Sequence, residues 1–174
     1  DDEHGWSSNG VFNFEGGCYA KTLGLTAQSE PQIWSACHRF GSILENVSFN
    51  DSGCINFADS LHTKNGRASY PIEFIGGSLP HGFVDDQPKS VIMLTCDAFG
   101  VLPAVSKLSA REARDQFLLG YTSKVAGTED GITEPTATFS PCFGLPFMPR
   151  KPTVYADLLE SFLEKSGATC WLVN

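Results

Sequence analysis

At 174 residues, 41% of them hydrophobic and 18% charged, the chain has the size and composition of one folded domain, which excludes a disordered segment. A formal net charge of -8 argues against nucleic acid or an anionic membrane as partner, because both are held mainly through Lys and Arg. No apolar run reaches the length of a bilayer span and no charged-then-apolar leader is expected.

The chain opens on Asp1-Asp2-Glu3-His4-Gly5-Trp6, where adjacent carboxylates offer hard oxygen ligands for a divalent metal. Ser7 to Gly10 reads as a turn, and Val11 to Phe14 as a short strand that delivers Glu15 at its end. Gly16-Gly17 would let the backbone approach a bulky ligand closely, with Lys21 a few residues on. Glu30 is a predicted N-cap and Pro31 the first helical residue, with Ile33, Trp34 and Cys37 on a core-facing side. Ile43 to Phe49 and Cys54 to Phe57 flank Asn50-Asp51-Ser52-Gly53 as a predicted hairpin. Asn65-Gly66 breaks the chain before Arg67, Tyr70 to Ile75 looks like a strand, and 76–88, with His81, Asp85 and Asp86, like a polar loop.

Ser90 to Thr95 is a continuous apolar run and the candidate for the most buried strand. It ends on Asp97, which either serves a ligand crevice or ties down its loop. Ser109-Ala110-Arg111-Glu112 fits a capping box, and Ala113, Phe117, Leu118 and Tyr121 extend an apolar face, so a helix is predicted to about residue 124. Ala126 to Pro135 has no periodicity and reads as a loop; Phe139 to Pro152 is irregular but packed. A last helix starts near Thr153, carries Tyr155, Leu158, Leu159, Phe162 and Leu163 on one stripe and stops at Gly167; Cys170 to Val173 is a final strand. The predicted architecture is α/β, a mixed sheet with flanking helices in a single domain over 1–174.

Six cysteines lie far apart without a Cys-x-x-Cys pair, which argues against a zinc site. Most sit in apolar runs and read as small buried hydrophobes, although their even number and the sequons at Asn46 and Asn50 leave a secreted, disulfide-linked binding domain as an alternative. A catalytically inactive module is the other.

Asp1 to Trp6 and Glu15 to Lys21 resemble two signature segments of the ATP-dependent phosphoenolpyruvate carboxykinases. Further similar blocks follow in order: Glu30-Pro31, Leu44 to Val47, Arg67 to Pro71, Cys96 to Pro103, Ala126 to Pro135 and Cys142 to Gly144. The resemblance implies an internal piece of a larger enzyme, part of a P-loop-type C-terminal domain, with the phosphate-cradling loop before Asp1 and adenine contacts beyond Asn174. It implies decarboxylation of oxaloacetate and phosphorylation of the resulting enolate by ATP, a gluconeogenic reaction in the cytoplasm, and inactivity of the piece alone.

By the same resemblance Asp2 would ligate Mn2+ and Asp1 would act on nucleotide-bound Mg2+. Arg67 and Lys21 would hold phosphoryl group and substrate, Arg67 as a planar two-pronged clamp and Lys21 as a point charge. Glu15 would orient those cations or touch the metal's water shell, and Glu30 would accept from the nucleotide ribose. The loop at 126–135 would be a lid. Leu145 to Arg150 departs from the family pattern, which has small residues there.

Overall fold

A computed structural model describes residues 4–61, 63–79, 86–124 and 134–174. The chain divides into two compact units, Asp1–Asp85 and Asp86–Asn174. Both are mixed α/β.

The first unit begins with an antiparallel hairpin, β1 (His4–Ser7) and β2 (Gly10–Asn13), in register from His4↔Asn13 to Ser7↔Gly10. Ser7 closes its turn, Oγ donating to the Gly10 carbonyl at 3.0 Å and accepting from the Asn9 amide at 3.1 Å. Then come β3 (Gly17–Lys21), α1 (Pro31–Cys37), β4 (Ile43–Glu45), β5 (Ser48–Phe49), β6 (Ile55–Asn56) and β7 (Arg67–Pro71). As predicted, Glu30 is the N-cap residue of α1 with Pro31 in its first turn; the predicted hairpin forms only between β5 and β6 across the Asn50–Gly53 turn, because the chain breaks at Asn46, φ 56°, and Ile43–Glu45 pairs with β7 instead. The predicted strand over Tyr70 to Ile75 is displaced toward the N-terminus. Strand β7 ends at Pro71, and Ile72–Phe74 is a 3-10 turn.

Strands β3, β7 and β4 form an antiparallel sheet in that order. Side chains alternate along each strand, so this sheet has two chemically distinct faces. One carries Cys18, Ala20, Ala68, Tyr70 and Leu44 and packs with Ala36 and Cys37 of α1 and with Phe57. Ala36 and Ala68 are fully buried there, which lets the helix lie close to the central strand. The other face carries Tyr19, Lys21, Arg67, Ser69, Ile43 and Glu45. A side chain at Gly17 would come within 2.6 Å of the Tyr70 carbonyl, so the neighbour that Gly17 admits is β7 of its own sheet rather than a ligand.

The second unit contains β8 (Ser90–Leu94), β9 (Val105–Leu108), α2 (Ala110–Leu119), β10 (Tyr121–Lys124), β11 (Thr136–Phe139), α3 (Pro152–Ser166) and β12 (Thr169–Val173). Its three-stranded sheet is mixed: β12 is central, parallel to β8 and antiparallel to β9. This corrects the expectation that Ser90 to Thr95 is the most buried strand. Within the unit β8 is an edge strand with Ile92 and Leu94 61% and 70% exposed, whereas Cys170 and Leu172 of β12 are buried.

The capping box forms as read: Ser109 Oγ accepts from the Glu112 amide at 3.3 Å, and Glu112 accepts from the Ser109 amide at 2.8 Å. Helix α2 stops at Leu119, short of the predicted 124, because Gly120 takes the left-handed conformation at φ 57° and Tyr121 begins β10. Arg114 of α2 bridges to α3 through Asp157 at 2.9 Å and Glu160 at 3.3 Å. The stretch after Phe139 is irregular as expected, built on two 3-10 turns, Pro141–Phe143 and Leu145–Phe147, but it is not packed throughout: Cys142 is buried, whereas Phe139, Phe143 and Leu145 are exposed. Most of the predicted lid at 126–135, its residues 126–133, lies outside the described residues, as do His81 and Asp85.

Candidate functional site

The antiparallel register of the first unit's sheet aligns three charged residues from three strands, Lys21 on β3, Arg67 on β7 and Glu45 on β4. Directly opposed residues on one face of a sheet have Cβ atoms about 5 Å apart, so the predicted pair Lys21 and Arg67 is brought together. Two cations side by side repel, and Glu45 on the far side of Arg67 offsets part of that repulsion. Arg67 Nη2 donates to Glu45 Oε1 at 2.6 Å. The Arg67 guanidinium carbon stands 4.5 Å from the centroid of the Tyr19 ring, and the Tyr19 hydroxyl donates to Glu45 Oε2.

The hydrogen bond from Tyr19, followed by that from Arg67, holds the Glu45 carboxyl below the usual carboxylate range. The bond to Glu45 in turn pushes the Tyr19 phenol and the Arg67 guanidinium upward. Arg67 and Glu45 therefore stay ionised at neutral pH beside a neutral Tyr19, with a flat cation on an aromatic face and its charge partner fixed at one end. Arg67 Nε is buried without a hydrogen-bond partner.

Glu15 lies elsewhere. It sits between β2 and β3, its amide donating to Asn13 Oδ1 at 2.8 Å. The pair Lys21–Arg67 is at the other end of β3, about 13 Å along the strand from Gly17 at about 3.3 Å per residue. The carboxylate that meets the guanidinium is Glu45, and sequence reasoning did not single it out. Its signal was the Leu44 to Val47 block together with strand alternation. Glu15 instead follows the open end of the β1–β2 hairpin, just after the His4↔Asn13 pair. Beside that hairpin a shallow cavity of about 180 Å³ is lined by His4, Phe12, Asn13, Ile72 and Leu79 among others.

Glu30 caps α1 through its backbone, its carbonyl accepting from the Trp34 amide at 2.9 Å, while its carboxylate makes no capping hydrogen bond. Asp1 and Asp2 lie outside the described residues, among which no three His, Cys, Asp or Glu side chains gather to hold a metal. In the second unit Asp97 proves to be a loop anchor. Its carboxylate accepts from the amides of Leu102 at 2.7 Å and Phe99 at 2.9 Å and from the Tyr121 hydroxyl at 3.0 Å. All six cysteines are free, which leaves the disulfide-linked alternative without support. No helix among the described residues is long and apolar enough to cross a membrane.

The family model described as phosphoenolpyruvate carboxykinase matches residues 1–174. Among curated relatives, the phosphoenolpyruvate carboxykinase (ATP) of Paracoccus denitrificans is 54% identical over 175 residues, covering 100% of this chain and 33% of that protein. The proteins of the same name from Rhizobium rhizogenes and Agrobacterium fabrum are each 53% identical over 174 residues, covering 100% of this chain and 32% of theirs. The chain thus spans about a third of the length of these relatives. Matched from its first residue to its last, with the two signature cations side by side on one sheet face, the chain belongs to the phosphoenolpyruvate carboxykinase family.

Proposed function

We propose that this chain is part of the catalytic, nucleotide-binding domain of an ATP-dependent phosphoenolpyruvate carboxykinase, a carboxy-lyase of the cytoplasm that serves gluconeogenesis. Oxaloacetate loses its terminal carboxylate as carbon dioxide, and the electron pair of the broken C–C bond becomes the enolate of pyruvate. The enolate oxygen then attacks the γ-phosphorus of ATP, giving phosphoenolpyruvate and expelling ADP. Negative charge is concentrated at both steps, so fixed cations that need no reorganisation are what the site must provide.

The observation that carries the reading is the pairing of Lys21 with Arg67 across β3 and β7, in a chain matched over its whole length by one enzyme family. Arg67 would grip the transferring phosphoryl group or the substrate carboxylate through its planar donors, and Lys21 would add a mobile point charge beside it. Glu30 would accept from the ribose. The carboxylates of Asp1 and Asp2 are hard donors suited to Mg2+ and Mn2+, and such ions, when bound, would offset charge on the phosphates. Glu15, beyond the end of β3 opposite to Lys21 and Arg67, would touch the metal's water shell rather than orient those two cations. The two units are read as parts of one domain whose phosphate-cradling loop is of the P-loop type.

Arg67→Lys in the full-length enzyme tests the assignment. One point charge cannot reproduce a two-pronged contact, so kcat/KM for phosphoenolpyruvate formation should fall about a hundredfold. Turnover within about twofold of the parent would refute the role of Arg67.

A further inference from the structure

We propose that Glu45 and Tyr19 are positioning residues that fix the orientation of the Arg67 guanidinium for the anion it binds. The inference rests on the proposed role of Arg67 and adds the two groups through which that role is set. A guanidinium on a flexible stem has two rotations to lose before it can meet a phosphoryl or carboxylate group squarely. The Tyr19 ring, 4.5 Å from the guanidinium carbon, limits tilt out of the plane. Glu45 Oε1, 2.6 Å from Nη2, limits rotation within it. The Tyr19 hydroxyl binds the other oxygen of the same carboxylate, so the three groups form a closed triangle in which none can turn without breaking a contact with the next.

The triangle is a product of strand geometry. Tyr19 is two residues from Lys21, the register partner of Arg67, so it shares that face and lies diagonal to Arg67, while Glu45 is directly opposite on the other neighbouring strand. A guanidinium has five N–H donors; with one spent on Glu45 and that on Nε buried, the remaining donors on the two Nη atoms are left for a ligand. A contribution to folding is the bland explanation and a weak one here. The side chains of Arg67 and Glu45 are 33% and 41% exposed, and ion pairs so open to water add little stability.

The test uses the full-length enzyme with Glu45→Gln, Glu45→Asp and Tyr19→Phe, each alone and in an Arg67→Lys background, reading kcat and KM for oxaloacetate and ATP together with the melting temperature. Misaligning a group by about 1 Å can cost up to about a hundredfold, so Glu45→Gln and Tyr19→Phe should each lower kcat about ten- to a hundredfold with little change in melting temperature. Glu45→Asp should recover part of the loss. In the Arg67→Lys background neither substitution should lower kcat by more than about twofold, because residues acting through a shared partner are not additive. Full activity of both Glu45→Gln and Tyr19→Phe beside a crippled Arg67→Lys would overturn the inference and leave the Arg67 assignment standing. Equal losses in both backgrounds would overturn it too, by showing action independent of Arg67. Normal activity of Arg67→Lys itself would instead remove the reading on which the inference is built. Should Glu45→Gln fail to fold, Tyr19→Phe and Glu45→Asp carry the same comparison.

Discussion

Gly120→Ala and Gly167→Ala place the same change at the ends of two helices with different surroundings, and their difference separates two costs. Both glycines follow a helix in the left-handed conformation, at φ 57° after α2 and φ 68° after α3, and both donate to a carbonyl four residues back. An alanine in that conformation loses about 1–2 kcal/mol at either site. Around Gly167 a new Cβ meets nothing within 4 Å, so that loss is the whole effect. At Gly120 it would come 1.9 Å from the Ser140 carbonyl oxygen and 2.4 Å from its carbon, and backbone cannot swing aside as a side chain can. Moreover, the Ser140 amide donates to the Gly120 carbonyl at 2.8 Å, so any shift also strains the contact between this turn and the segment after β11. Overpacking of that kind adds about 1–3 kcal/mol, for a total of about 2–5. With a urea m-value of about 1.5 kcal/mol/M, the Gly120 variant should unfold about 0.7–2 M earlier than the Gly167 variant. Equal midpoints by circular dichroism would refute the steric argument.

Asp97 and Tyr70 give pH predictions of opposite sense. The bonds that Asp97 accepts, that of the Leu102 amide first, lower its pKa in the folded state, so its contribution is complete above the unfolded value of about 3.9 and fades as pH falls through it toward the depressed one. Asp97→Asn should flatten the acid limb of the melting temperature against pH, and an unchanged limb would deny the anchor. Tyr70 is pushed up to about 12 by burial first, with Cys18 and Cys37 adding to it, so its contribution is present below pH 10 and lost as pH rises toward 12. In a phenolate absorbance titration of the folded protein, Tyr70→Phe should delete the last-titrating component; loss of an early one would contradict its burial.

What could be read from sequence was local. The Ser109–Glu112 box and the Glu30-Pro31 start depend on residues within one turn and appear where expected. Helix α2 was overrun because Tyr121 continues the apolar stripe of Phe117, while the stop came from the backbone conformation of Gly120, a weaker signal than the stripe. The expectation for β8 failed for a related reason: an unbroken apolar run measures how oily a strand is, whereas burial depends on how many neighbours pair with it, and among the described residues β8 has one where β12 has two. The site divides in the same way. Lys21, Arg67 and Glu45 all lie in family-like segments, but what joins Glu45 to Arg67 is the pairing of β4 with β7, which the Leu44 to Val47 block does not by itself encode.

That pairing ties the candidate chemistry to the core. The strands that present Lys21, Arg67 and Glu45 outward present Ala20, Ala68 and Leu44 inward, in the intervening register row. A slip of one residue between β7 and either neighbour would turn charged side chains toward α1 and apolar ones toward water, at a cost that grows with every residue on the face. Fully buried Ala68 beside fully buried Ala36 makes the slip more costly still, since the next residue in line for the helix contact is Arg67 or Ser69. The charged row is therefore held in place chiefly by the packing beneath it. Its ion pair can remain open to solvent and to a ligand, because it is not required to hold the strands together.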